Sequence, residues 1–141
     1  MIDIQGKWKV TYKIEHPDNN ENLKDKEFCF DIEINNNDGE LSGKFKEIIN
    51  NNLIEDNISG FIEDSIISFT RLYYPHHIIH GEINNRDNNN EESLGEMEFS
   101  GEYDPNLNEF TGEWHVILNI IQKGYFYFEE GFSGTWKMIK V

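Results

Sequence analysis

The stretch "FSGTWKM" at residues 132–138 places a glycine two residues before an aromatic ring. The same pattern occurs in "FSGEYDP" (99–105) and "FTGEWHV" (110–116), and looser copies occur in "IQGKWKV" (4–10), "LSGKFKE" (41–47), "ISGFIED" (58–64) and "IHGEINN" (79–85). On a β-strand, residues two apart point to the same face, so each glycine shares a face with the large residues around it. An inward glycine lets a strand bend and leaves room for a neighbouring ring. The repeated pattern therefore predicts the coiled wall of a closed barrel.

Alternation of apolar and polar residues predicts strands along almost the whole chain. A third strand follows the hairpin signal "NNNDG" (35–39), and the other predicted strands cover about 4–14, 26–34, 53–63, 65–73, 77–84, 94–103, 109–121 and 124–140. The last segment is either one bent strand or two strands joined at Glu130–Gly131. The chain has no alanine, the best helix former, so we expect at most a short helical turn in 15–25 or 84–93. We expect an all-β protein, with residues 1–141 forming a single antiparallel up-and-down barrel of about 8–10 strands and no substantial helix.

Charges on the outer faces predict how the first three strands pair. Lysines face outward on the first and third strands, whereas the second strand carries Glu27, Asp31 and Glu33 on that face. Opposite charges on neighbouring strands stabilise pairing by roughly 0.2–1 kcal/mol per pair. The pattern favours an antiparallel meander in which the second strand lies between the other two.

The overall charge excludes several classes of partner. With 12 basic and 27 acidic residues, the formal net charge is −15, which argues against binding nucleic acid or an anionic membrane surface. Cys29 is the only cysteine and cannot form an internal disulfide, as is typical of a reducing compartment. The sequence "MIDIQGKWKV" has no apolar run of signal-peptide length. We expect a cytoplasmic protein.

Two stretches resemble the calycins, the barrel proteins that include lipocalins, fatty-acid-binding proteins and avidins. "IQGKWKV" is similar to their first strand, and "FSGTWKMIKV" (132–141) is similar to the last strand, which returns beside the first. The resemblance implies that Trp8 closes one end of the barrel. Fatty-acid-binding proteins insert two helices after the first strand, where "HPDNNENLKD" (16–25) leaves room only for a loop, and secreted lipocalins carry disulfides. The avidin-like arrangement fits best, although no set of biotin-binding residues is carried over from that family.

Metal binding and catalysis have little support in the sequence. On a strand, His76 and His80 would lie about 13 Å apart, and His77 and His80 would point to opposite faces. Cys29 faces outward with no basic neighbour on its own strand, and no Ser-His-Asp arrangement is evident. We therefore predict no catalytic residues, no metal site and no cofactor, and an enzyme is the lowest-ranked interpretation.

Arg71 is the strongest candidate for a binding residue. In "SIISFTRLYYP" (65–75) it shares a face with Ile67, Phe69 and Tyr73, so an inward face would carry a guanidinium into the barrel. A buried guanidinium needs a partner, either an anionic ligand or an inward acid, and a planar anion suits a two-pronged contact. The alternative is that Arg71 lies at the barrel mouth with its stem on Tyr73. The predicted ligand-binding residues are Tyr12, Phe30, Phe45, Phe69, Arg71, Tyr73, Tyr103 and Trp114.

Two functional classes remain open. The first is a small-molecule carrier or sensor with an aromatic-lined interior that takes a small apolar or anionic ligand. The second is an acidic interaction module with a filled barrel, acting as an inhibitor or nucleic-acid mimic. Its basic protein partner would meet Glu96, Glu98, Glu102, Glu109 and Glu113, which lie on two strands that we predict to be neighbours. A merely solvated acidic face is the simpler interpretation of these residues.

Overall fold

The described part of the chain is a closed β-barrel. The structure, a computed structural model, describes residues 2–16, 24–49, 51–74, 95–123 and 126–141, with the backbone alone for 118–123 and 126–130. The strands are β1 (Gly6–His16), β2 (Glu27–Asn37), β3 (Glu40–Ile49), β4 (Asn52–Glu63), β5 (Ile66–Tyr73), β6 (Gly95–Asp104), β7 (Glu109–Lys123) and β8 (Phe126–Lys140). Each strand pairs antiparallel with the next, and β8 pairs with β1 to close the barrel. The predicted all-β up-and-down barrel is confirmed.

The eight strands of the described residues fall at the lower end of the predicted 8–10. Within the segment predicted at 124–140, Phe126–Lys140 forms one strand that continues through Glu130 and Gly131. The strand predicted at 77–84, and the helical turn considered at 84–93, lie outside the described residues. The described residues include no helix of the length and apolar character that a membrane span needs.

The register of the first three strands confirms the predicted charge pairing. Lys7 lies opposite Glu33, Lys9 opposite Asp31, and Lys13 opposite Glu27. On the other side of β2, Asp31 lies opposite Lys46 and Glu33 opposite Lys44. Each of these three acids lies opposite a lysine on at least one neighbouring strand, which favours this register.

The two ends of the barrel differ in their connections. At one end, called here the turn end, tight turns at Asp38–Gly39, Asp64–Ser65 and 105–108 join consecutive strands. The "DG" signal forms a two-residue hairpin in which Asp38 (φ 57°) and Gly39 (φ 95°) both take left-handed backbone. At the opposite end, called the loop end, the strands are joined through 17–26, 50–51, 74–94 and 124–125.

The inner face is a continuous apolar core, and glycines allow its rings to fit. At Gly101 an added Cβ would lie 2.3 Å from the Thr111 carbonyl oxygen and 2.8 Å from the Trp136 ring, so the missing side chain leaves room both for the next strand and for that indole, as the Gly-x-aromatic pattern predicts. Gly112 and Gly134 instead let the wall strands approach closely, since a Cβ there would strike the backbone of the next strand. The pattern thus serves both ring packing and wall curvature.

Trp8 lies in the barrel wall at the turn end. It is 2% exposed, its ring meets Phe110 edge-on at 5.6 Å, and its indole Nε1 donates to the Ile4 carbonyl at 2.8 Å. The Lys140 ammonium lies 5.3 Å from the ring centroid. The position implied by the calycin resemblance is confirmed.

Candidate functional site

Arg71 enters the barrel, as its position in the alternation predicts. Strand β5 turns Ile67, Phe69, Arg71 and Tyr73 inward, and Arg71 is 2% exposed. In the register it lies between Ile58 of β4 and Met97 of β6, both of which are buried and apolar. The alternative placement at the barrel mouth is therefore wrong, and a full positive charge lies in a mostly apolar interior.

An inward acid, Glu47 of β3, is the partner of this guanidinium. Arg71 Nη1 lies 2.7 Å from Glu47 Oε1, and neither side chain has more than 1% of its surface exposed. Because β4 separates β3 from β5, the arginine side chain spans the inner surface of β4. The sequence left open whether the partner of the Arg71 guanidinium is an anionic ligand or an inward acid. For Nη1, the partner is an inward acid, Glu47.

Sequence reasoning missed Glu47, although a signal was present. Glu47 has the same parity as Leu41, Gly43 and Phe45, so extending the third strand by one more alternation places it inside. The observed strand continues to Ile49, which is also buried.

Tyr12 of β1 completes what we call the Arg71 cluster, consisting of Tyr12, Glu47 and Arg71. The Tyr12 hydroxyl donates to Glu47 Oε2 at 2.9 Å. Burial raises the pKa of Tyr12 well above its ordinary value of 10.0, and the Glu47 charge adds to this effect. The hydroxyl therefore stays protonated and continues to donate at neutral pH.

The guanidinium is held between rings, and one of its nitrogens has no partner. Its carbon lies 3.8 Å from the Phe45 centroid and 4.7 Å from that of Phe30, and its Nε donates to the Leu72 carbonyl at 2.9 Å. Within the described residues, the buried Nη2 has no hydrogen-bond acceptor. An unsatisfied buried donor costs about 1–3 kcal/mol, and more when it is charged. This atom is the strongest sign of a binding function in the interior.

Rings fill the middle of the barrel beside this cluster. Phe69 stacks on Phe99 at 4.8 Å, and Tyr12 meets Trp114 edge-on at 5.3 Å. The Trp114 indole donates to the Lys13 carbonyl at 3.1 Å, so its polar edge is satisfied by the wall. These mid-barrel rings, which we call the ring floor, fill the barrel on the turn-end side of Arg71. A ligand near Arg71 would therefore lie between the ring floor and the loop end.

The other predicted binding residues divide into two groups. Tyr73 is buried, and its ring lies 6.2 Å from that of Phe132. Burial raises its pKa, and Glu47 adds to the shift. Tyr103 is only half-buried at the turn end, where its hydroxyl donates to Asn108 at 2.9 Å. Of the predicted set, Tyr12, Phe30, Phe45 and Arg71 are thus brought together with Glu47, whereas Tyr103 lies far along the barrel because its strand ends at the next residue.

Metal chemistry finds no support in the described ranges. They contain no group of three His, Cys, Asp or Glu residues that could hold an ion. The histidines considered in the sequence, His76, His77 and His80, lie outside those ranges. Cys29 is exposed and forms no disulfide.

The acidic strands are neighbours, as predicted, but their register separates most of the acids. β6 pairs with β7 so that Glu98 lies opposite His115, and Glu113 lies opposite Ser100. The His115 Nε2 is 3.5 Å from Glu98 Oε1, and both side chains are about half exposed. The like-charge conflict expected from the sequence is thus reduced for Glu98, Glu102 and Glu113, which face imidazole or hydroxyl groups, whereas Glu109 lies opposite Asp104.

A shallow groove of about 280 Å³ lies outside the wall formed by β1, β6, β7 and β8. Its lining includes Glu15, Glu113, Ser133 and Thr135. The Thr135 hydroxyl lies 3.1 Å from Glu15 Oε2, so these groups already bond to each other. The groove has no buried, unsatisfied group comparable with Arg71 Nη2.

Comparison with known proteins supports the fold and leaves the activity open. No family model and no curated protein matches this chain. Among solved structures, that of a rhizavidin–biotin complex is similar over 99% of this chain and 94% of that chain, with 13% identity and a TM-score of 0.50. That of apo shwanavidin is similar over 99% of this chain and 100% of that chain, with 14% identity and a TM-score of 0.49. Together with the eight closed antiparallel strands, the first of these likenesses shows that the chain has an avidin-like calycin barrel fold.

Proposed function

We propose that the protein binds a small molecule inside the barrel, at the Arg71 cluster, and serves as a carrier or sensor. The observation that carries the proposal is Arg71 Nη2, a buried, charged donor with no acceptor among the described residues. Buried polar groups are almost always hydrogen-bonded, so an exception indicates a missing partner. A ligand acceptor would supply that partner.

The rigidity of the cluster supports the same conclusion. Glu47, the Leu72 carbonyl and the rings of Phe30 and Phe45 fix the guanidinium from several sides. A donor that is already ordered loses little conformational entropy when a ligand arrives. Eight-stranded barrels have room for packed side chains or for one small ligand, so a site on one side of the ring floor fits this size of barrel.

Native mass spectrometry of the gently purified protein tests the proposal. We expect a small-molecule adduct on the wild type that denaturation releases. The Glu47→Leu/Arg71→Met double variant should lose it, because both partners of the buried pair become apolar and the donor disappears. Arg86→Lys, which removes the only other arginine, serves as the matched control and should keep the adduct. An adduct of equal abundance on the double variant would show that the ligand lies elsewhere.

Biotin is the first compound to titrate, because the rhizavidin structure is a complex with biotin. Calorimetry on the wild type and on the same double variant would show whether any biotin binding depends on Arg71. Binding that is unchanged in the double variant would argue against the proposed site.

A second candidate is the acidic interaction module, which the packed rings in the middle of the barrel favour. Glu96, Glu98, Glu102 and Glu113 are exposed on β6 and β7, and Glu109 is partly exposed. A basic protein partner of this face should be lost on Glu98→Lys/Glu113→Lys and kept on Glu40→Lys/Glu63→Lys, which makes the same charge change elsewhere on the surface. Equal loss with both pairs would indicate a response to net charge alone.

A further inference from the structure

We infer that the ligand of the Arg71 cluster is an uncharged molecule that offers a carbonyl-type oxygen to Arg71 Nη2, rather than an anion. This inference rests on the proposed function and names the class of ligand. It also replaces the planar anion expected from the sequence, for two reasons of geometry and charge.

The first reason is the number of contacts left on the guanidinium. A two-pronged carboxylate contact uses Nη2 together with either Nη1 or Nε. In the structure Nη1 is bonded to Glu47 at 2.7 Å and Nε to the Leu72 carbonyl at 2.9 Å. Only Nη2 remains without a partner in the described part of the chain. A single acceptor oxygen needs Nη2 alone, whereas a forked carboxylate would also have to use Nη1 beside the Glu47 carboxylate or take Nε from the Leu72 carbonyl.

The second reason is charge balance. Glu47 already neutralises Arg71, and both side chains are buried. A ligand carboxylate would place a second negative charge on the same guanidinium and leave one buried charge uncompensated. The net charge of −15 opposes an anion further. A neutral carbonyl satisfies the donor without this penalty.

The surroundings define the rest of the molecule. The residues that flank Arg71 in the register, Ile58 and Met97, are buried and apolar, and the rings of Phe30 and Phe45 cover the guanidinium. The ligand class is therefore a largely apolar amide, lactam, urea or ketone, held by one charge-assisted hydrogen bond.

Arginine-selective ¹⁵N labelling gives a direct test, because the chain contains only two arginines, Arg71 and Arg86. The Arg86→Lys variant assigns the two sets of side-chain signals. The probes are two pairs matched in shape, benzamide with benzoate and acetamide with acetate, at concentrations on the order of millimolar, as suits fragments of this size. We expect the amides to shift the Arg71 signals and the carboxylates to bind at least tenfold more weakly.

A charge-removing variant keeps the test informative. In Glu47→Gln an acceptor oxygen remains for Arg71, but the compensating charge is gone, so the carboxylate probes should gain at least tenfold relative to the amides. Arg71→Met breaks the ion pair and could unfold the chain, which is why the variant changes Glu47 instead.

The outcomes separate the inference from the proposed function. Tighter binding of the carboxylates to the wild type at Arg71 would overturn the neutral-ligand inference and leave the binding function intact. If no probe shifts Arg71 and a long-lived water is found on Nη2, both are overturned. A wild type that binds the amides more tightly, together with a Glu47→Gln variant that binds the carboxylates more tightly, supports both the neutral-ligand inference and the binding function.

Discussion

The two ends of the barrel solve the same packing problem with different chemistry. At the turn end, the Trp8 ring packs on Phe110, and its one polar atom bonds to the Ile4 carbonyl. Nearer the loop end, Arg71 and Glu47 bury two opposite charges, and one guanidinium nitrogen is left without a partner in the described residues. An apolar plug would stabilise either end more simply, since buried ion pairs are often replaceable by apolar residues without loss. The turn end thus serves stability, and the extra cost of the Arg71 cluster supports the binding role that we propose for it.

The largest effect on stability is expected when only one partner of the Arg71–Glu47 ion pair is removed. Glu47→Leu should lower the free energy of unfolding by about 3–5 kcal/mol, because a buried guanidinium loses its counter-charge. The Glu47→Leu/Arg71→Met double variant should recover most of that loss. Chemical denaturation of both variants measures it. A double variant as unstable as the single one would mean that the pair is needed for folding rather than for binding.

At the turn end, Trp8→Ala should cost a similar ~3–5 kcal/mol, through a cavity and lost ring contacts. Here no second substitution is expected to restore stability, in contrast to the ion pair. Denaturant unfolding again provides the measurement. A loss below about 1 kcal/mol would show that the turn end does not depend on this plug.

A smaller effect is expected from the third member of the cluster. Tyr12→Phe keeps the ring and removes the hydroxyl that donates to Glu47, so we expect a loss of about 1.5–3 kcal/mol, the range for a hydrogen bond to a charged group. Tyr103→Phe is the matched control at the turn end, because its hydroxyl bonds to the exposed Asn108. Equal losses in the two variants would erase the contrast between the ends.

The buried tyrosines also predict alkaline sensitivity. Burial raises the pKa values of Tyr12 and Tyr73 above the ordinary 10.0, so the folded state keeps protons that the unfolded chain releases near that pH. Their contribution is fully present below pH 10 and is lost as the pH rises above it, at up to about 1.4 kcal/mol per pH unit for each tyrosine. Unfolding curves between pH 8 and 12 measure the slope. Tyr12→Phe should reduce it, and an unchanged slope would contradict this assignment.

The smallest effect concerns the outer wall, which belongs to neither end. Glu98→Lys/Glu113→Lys should leave the melting temperature unchanged or raise it slightly, because both carboxylates are exposed and neither lies opposite a lysine. Asp31→Lys/Glu33→Lys makes the same change among lysines and should lower the melting temperature. A large fall in the melting temperature of Glu98→Lys/Glu113→Lys would show that these exposed carboxylates also contribute to stability.

The sequence was sufficient for the fold and for two of the three residues of the Arg71 cluster. Alternation in β5 fixed the inward direction of Arg71, and the Gly-x-Trp pattern located Trp8, because both depend only on parity along one strand. Glu47 was missed because the sequence alone does not mark how far the third strand extends beyond Phe45. The pairing of Glu98 with His115 could not be predicted, since the register of β6 on β7 depends on the 105–108 turn. The missing acceptor of Arg71 Nη2 could not be predicted either, because it depends on how side chains of β1, β3 and β5 meet inside the barrel.

The pairing of the first strand with the last has a consequence for synthesis of the chain. Trp8 pairs with Lys140, and the Val141 amide donates to the Lys7 carbonyl at 3.0 Å. Until the ribosome has released residues this far along, β1 has one edge without its partner strand, and such an edge invites pairing with other chains. Contacts of such long sequence separation also form slowly. Closure is therefore a late step in folding, and the nascent barrel is most open to aggregation or chaperone binding just before it.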